Sequence, residues 1–137
     1  MRKIMIVDDD STSVAIGRAF LDDEYEIIVV RSGIQALGAL KDDPLPDIVL
    51  LDVFMPGMDG MEVLKTMKKD DRLKDIPVIF LTGDKELDLE VEGYKNGAGD
   101  FLLKPVNRFL LKTKIKQYIL FLDTVRENQE LKKRLGL

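Results

Sequence analysis

Apolar residues recur along this chain in two alternating rhythms. Short unbroken runs occur at Lys3 to Val7 (KIMIV), Tyr25 to Val30 (YEIIVV), Ile48 to Leu51, Ile76 to Leu81 (IPVIFL) and Phe101 to Leu103. Each is followed by a stretch in which apolar positions return at helical spacing or the composition is that of a helix. A short run that does not alternate with polar residues reads as a strand buried on both faces, and a period of three to four reads as an amphipathic helix. The first helical stretch, Val14 to Leu21, follows Ser11, Thr12 and Ser13, any of which makes a good N-cap. The second, Gly33 to Leu40, is closed by Pro44 and Pro46, and the third, Gly60 to Lys69, carries Met61, Leu64 and Met67 on one side. The fourth, Glu86 to Asn96, is more polar, and from Asn107 the pattern is helical to the end. Five strands alternating with helices imply right-handed crossovers and a mostly parallel sheet covered on both faces: an α/β, (βα)5 doubly wound fold.

Composition narrows the chemistry. A length of 137 residues, 45% hydrophobic and 34% charged, predicts one globular domain. The balance of 21 basic against 25 acidic residues argues against bulk nucleic-acid binding, which needs clustered Lys and Arg. Met1-Arg2-Lys3 leads straight into an apolar run too brief for a signal peptide, and nothing approaches the roughly 18 apolar residues of a membrane span. The expectation is a cytoplasmic protein without membrane contact. There is no histidine and no cysteine. That excludes a Ser-His triad, a histidine base, a thiolate nucleophile and any His- or Cys-bound metal, leaving carboxylates, Lys, hydroxyls and backbone.

In doubly wound sheets ligands bind beyond the carboxyl ends of the strands, so the residues there matter most. After the first run come Asp8, Asp9 and Asp10; after the third, Asp52; after the fourth, Thr82; after the fifth, Lys104-Pro105. Taken singly, each has an ordinary reading: helix caps for Asp8 to Ser11, Asp10 above all, and turn residues for Asp52, Thr82 and Lys104. Taken together, four strand ends carry the parts of one site. Its carboxylates repel one another unless something positive lies among them, and an all-oxygen set suits a hard cation, magnesium first.

With these motifs in order, the chain resembles the receiver domains of two-component response regulators, a CheY-like superfamily with a flavodoxin-like fold, from Lys3 to about Leu120. The resemblance rests on IMIVDDDST, VLLDVFMPGMDG, VIFLTG and GAGDFLLKP. It implies that Asp52 is the phosphoacceptor. Asp9 would bind Mg2+ directly and Asp8 mainly through water, joined by Asp52 and the backbone carbonyl of Phe54. Lys104 would pair with Asp52 before reaction and with a phosphoryl oxygen afterwards. Thr82 would bond a second oxygen and act with the aromatic Phe101 as a switch. The bistable pair would bias the face formed by the fourth helix, fifth strand and fifth helix, toward dimerisation or an output partner. Phe54 and Asp84 occupy positions that border the phosphoryl group, the first suited to exclude water and the second to orient it; which dominates the lifetime is left open. The resemblance implies a switch rather than an enzyme, with self-catalysed phosphorylation and autodephosphorylation only. Since the chain has no histidine, the phosphoryl donor must be another protein, a histidine kinase or a histidine phosphotransfer protein.

Three other functions compete. An aspartate-nucleophile phosphatase would need an acid two residues after its nucleophile, where this chain has Phe54. A nucleotide- or flavin-binding module would need a Gly-rich loop after the first strand, where this chain has carboxylates. A degenerate scaffold is disfavoured by the intact Asp8, Asp9, Asp52, Thr82 and Lys104 set.

The tail exceeds a bare receiver, which would end near Leu120, and divides the chain into a receiver at 1–121 and a helical extension at 122–137. Phe121, Asn128 and Leu135 recur every seven residues, with Thr124 and Leu131 in the companion register. This reads either as a coiled-coil linker, with Asn fixing the register and a homodimer as one outcome, or as a frayed charged tail, since two heptads are short for a coiled coil.

Overall fold

The computed structural model describes residues 1–83 and 87–137. The apolar runs form β1 (Lys3–Val7), β2 (Glu26–Val30), β3 (Ile48–Asp52), β4 (Val78–Thr82) and β5 (Asp100–Leu103). Between and after them lie α1 (Ser11–Leu21), α2 (Gly33–Ala39), α3 (Gly60–Lys68), α4 (Leu87–Lys95) and α5 (Arg108–Leu135). All strand pairs are parallel, in the order β2-β1-β3-β4-β5. The order reverses at β1 and β3, whose carboxyl ends therefore lie side by side at the switch point.

The unbroken apolar runs have a direct cause. Met5, Val7, Val49, Leu51 and Phe80 face one core beneath α2, α3 and α4, shared with Ala36, Leu64 and Met67. The intervening Ile4, Ile6, Ile48, Leu50, Ile79 and Leu81 face a second core beneath α1 and α5, shared with Leu21, Leu111 and Ile115. Successive side chains point to opposite faces, so a sheet covered on both sides has no place for polar alternation.

Local chemistry sets the ends. Asp10, and none of Ser11, Thr12 or Ser13, caps α1, its carboxylate accepting from the Ser13 N–H at 3.2 Å. Ser32, Asp59 and Asn107 cap α2, α3 and α5 in the same way. β3 and β4 each run one residue further than their apolar runs, so Asp52 and Thr82 are the last residues of strands rather than the first of loops. β4 starts at Val78 instead of Ile76, because Pro77 has no N–H to donate to the ladder. Glu86, the expected start of the fourth helix, lies outside the described residues.

α5 is one helix of 28 residues, about 42 Å long, ended by Gly136 in the left-handed conformation (φ 72°). Its contact with the body continues past Leu120. Leu122 and Val125 line a groove with Pro46, Ile76 and Pro77 at the amino edge of the sheet. Arg2 ties the same region down, its guanidinium bonding Asp47 at 3.0 Å and also Asp123. From Arg126 onward every residue is exposed. No helix among the described residues is long and apolar enough to cross a membrane.

Candidate functional site

β1 and β3 deliver two buried carboxylates to the switch point. Asp8 continues β1, its N–H bonding the Val30 carbonyl at 3.1 Å, and it is only 2% exposed. One carboxylate oxygen accepts from the Asp10 N–H at 2.9 Å, which shapes the turn into α1. Asp52 ends β3 and is 7% exposed. Its Oδ1 faces the Phe54 N–H at 3.4 Å. Asp9 is exposed at the rim, and Asp8, Asp9 and Asp52 each offer an oxygen, all three within 4.8 Å of one another.

Lys104 reaches this cluster from the turn after β5. Its N–H donates to the Thr82 carbonyl at 2.8 Å, and the Lys104–Pro105 peptide is cis. The ammonium lies 2.7 Å from Asp8 Oδ2 and 3.5 Å from Asp52 Oδ2. It is thus shared between the two buried carboxylates and sits closer to Asp8, where Asp52 was the expected partner. One ammonium against three carboxylates leaves the cluster negative. Burial pushes the Asp52 carboxyl up to about 6; Lys104 opposes the shift and the neighbouring Asp8 adds to it. An all-oxygen, electron-rich set with an excess of negative charge fits a hard divalent cation such as magnesium.

The remaining candidates lie around this centre. Thr82 is buried at the end of β4, beside Leu103 in the β4–β5 register. Phe101 pairs with Phe80 across the same ladder, with ring centroids 4.9 Å apart, and packs against Tyr94 at 5.6 Å. Gly93 of α4 permits this, because a Cβ there would overlap the Phe101 ring. The Phe54 side chain is 54% exposed. Asp84 lies outside the described residues.

Two contributors escaped the sequence reading. Arg31, immediately after β2, donates from one guanidinium nitrogen to the Asp9 carbonyl and to Ser11 Oγ, both at 2.9 Å. It fixes the acidic loop, and the strand-end rule applied to the second run would have found it. Gly60 was read only as the start of the third helical stretch. Its N–H bonds the Val53 carbonyl at 2.8 Å, and a Cβ would collide with the Asp52 carbonyl oxygen. Only glycine lets the start of α3 lie against the strand that carries Asp52.

Comparisons with known proteins agree with this geometry. The family model for the response regulator receiver domain matches residues 4–116. Response regulator PleD of Caulobacter vibrioides is 35% identical over 98% of this chain, which spans 30% of that protein. Sporulation initiation phosphotransferase F of Bacillus subtilis is 36% identical over 85% of this chain and 93% of its own length. Among solved structures, the chemotaxis protein CheY4 of Vibrio cholerae superposes with a TM-score of 0.80 at 28% identity, covering 86% of this chain and 98% of that one. The chain belongs to the response regulator receiver domain family. It is a CheY-like receiver domain of two-component signalling, and receivers are phosphoacceptor switches rather than classical enzymes. Receivers bind Mg2+ at an acidic pocket of the kind formed here by Asp8, Asp9 and Asp52, and they interact with histidine kinases or phosphotransfer proteins.

Proposed function

We propose that Asp52 accepts a phosphoryl group from a phosphohistidine on a histidine kinase or phosphotransfer protein. A carboxylate oxygen of Asp52 forms a bond to phosphorus while the phosphorus–nitrogen bond breaks, and the departing imidazole takes up a proton. The observation that supports this most is the shared position of Lys104, 2.7 Å from Asp8 and 3.5 Å from Asp52. Its ammonium needs only a small shift to meet a phosphoryl oxygen on Asp52. Thr82 bonds a second oxygen. Mg2+, held by Asp8, Asp9, Asp52 and the Phe54 carbonyl, would supply the remaining charge neutralisation. Phe54 at the rim slows hydrolysis by excluding water, and Asp84 tunes the same step.

The added phosphoryl charge is read by Thr82 and Phe101, which bias the α4–β5–α5 face toward dimerisation or an output partner. The receiver occupies residues 1–121, and 122–137 form a helical extension. The setting is the cytoplasm, without direct nucleic-acid binding. The test is incubation with magnesium and a small acyl phosphate, followed by intact-mass measurement. One phosphoryl adduct per chain is expected, dependent on magnesium and absent in Asp52→Asn. No adduct with the small donor or with a panel of histidine kinases would overturn the proposal.

A further inference from the structure

The end of α5 is a helix with little support. Residues 126–135 are helical and each is exposed, although Arg126 and Gln129 still line the groove at the amino edge of the sheet. A segment this short is marginal as an isolated helix in water, even with good helix formers. The side of the extension that faces the body is used by Leu122, Asp123, Val125, Arg126 and Gln129. A different side carries a second series, Phe121, Thr124, Asn128, Leu131 and Leu135, with alternating steps of three and four. Phe121, Leu131 and Leu135 are large apolar side chains left in solvent. In heptad terms, Phe121, Asn128 and Leu135 stand at a, and Thr124 and Leu131 at d.

We infer that this stripe pairs with the same stripe of a second copy of the chain, as a parallel, in-register two-stranded coiled coil. Three features select that occupant. Asn128 is self-complementary: in register, two side-chain amides at one a layer bond each other. An antiparallel pairing sets a against d, placing Asn128 opposite Thr124 or Leu131 rather than opposite a second Asn128 amide. Thr124 strands nothing on burial, because its hydroxyl already donates to the Leu120 carbonyl at 2.9 Å. Glu127 at g and Lys132 at e flank the seam with opposite charges, and in a parallel pair Glu127 of one copy meets Lys132 of the other. The stripe is also continuous with the receiver face through Gln117, one step before Phe121 on the same helix. Pairing therefore sets two receivers side by side with their Asp52 sites equivalent by symmetry.

The absence of native cysteine makes the test direct. Single-cysteine variants Phe121→Cys, Asn128→Cys, Leu135→Cys and, on the far side of the helix at f, Lys133→Cys are oxidised as full-length chains. This is done with and without magnesium and beryllofluoride. The inference expects disulfide-linked dimers at 121, 128 and 135 in at least one of the two states, formed at least several-fold faster than at 133. Cross-linking at only one of the three seam positions would mean an antiparallel pair and overturn it. Equal rates at all four, or none in either state, would overturn it as well. A charge test runs beside it by sedimentation: Glu127→Lys and Lys132→Glu each weaken the dimer, and the double exchange restores it. Failure to restore counts against the register. None of these readouts depends on a phosphoryl adduct at Asp52, so this inference and the phosphoacceptor reading fail separately.

Discussion

At Asp52 two opposing effects meet. Burial holds its carboxyl up to about 6, above the ordinary carboxylate value of 3.8, although Lys104 stands nearby. A group raised on folding contributes stability that is complete below its unfolded value and is lost as pH rises through the folded one. The magnesium-free protein should therefore lose stability between about pH 4 and 6 at this site, and Asp52→Asn should remove that loss. Thermal melts of both proteins across this range measure it. Magnesium must displace the proton from Asp52, so its affinity should weaken as pH falls below about 6, which titration calorimetry at pH 5 and pH 7 would read. At 100 times its dissociation constant the metal should add about 2.7 kcal/mol to the wild-type fold. Lys104 offers a second check at this scale. Lys104→Met leaves Asp8 and Asp52 without their shared ammonium, so it should destabilise the magnesium-free protein by up to about 3 kcal/mol and block adduct formation. Denaturant unfolding with and without magnesium separates the two effects, because the metal should recover much of the stability and none of the reactivity.

At the scale of elements, contact between α4 and β5 depends on a missing side chain. Gly93→Ala would force the Phe101 ring away from α4, and overpacking of this kind costs about 1–3 kcal/mol. Gly38, in α2, has open space where a Cβ would go, so Gly38→Ala should stabilise by about 0.4–1 kcal/mol. Chemical denaturation of the two variants gives opposite signs if the packing is as described. The same contrast explains what was legible in the sequence. Strand interiors such as Val49 to Leu51 announce themselves because both faces of the sheet are covered. The last residue of β3 and of β4 did not, since Asp52 and Thr82 are polar and read as the first residues beyond their strands, whereas their places in the ladder follow from pairing with neighbours distant in sequence. Asp8, Asp52 and Lys104 were legible as strand-end residues, and the geometry brings them within one ion-pair network. Arg31, Gly60 and Gly93 were not given their roles, because each acts through a contact 20 or more residues away or through a collision it avoids.

Across the whole molecule, α5 links the receiver body to its exposed end. The acidic cluster of Asp8, Asp9 and Asp52 sits at the carboxyl edge of the sheet, while Arg2, Asp47 and Asp123 hold the end of α5 at the amino edge. Arg2→Ala should free this attachment at a cost of about 1 kcal/mol, with faster amide exchange from Leu122 onward and an unchanged phosphorylation rate. Exchange mass spectrometry would localise the effect, and protection lost around Asp8 instead would contradict the separation of the two edges. The central claim is that Asp52 is the covalent acceptor, and borohydride reduction of the phosphorylated chain tests it most directly. An aspartyl phosphate is reduced to homoserine, so peptide sequencing should find homoserine at position 52 only. Homoserine at Asp8 or Asp9, or none anywhere in a chain that carries the adduct, would contradict the account.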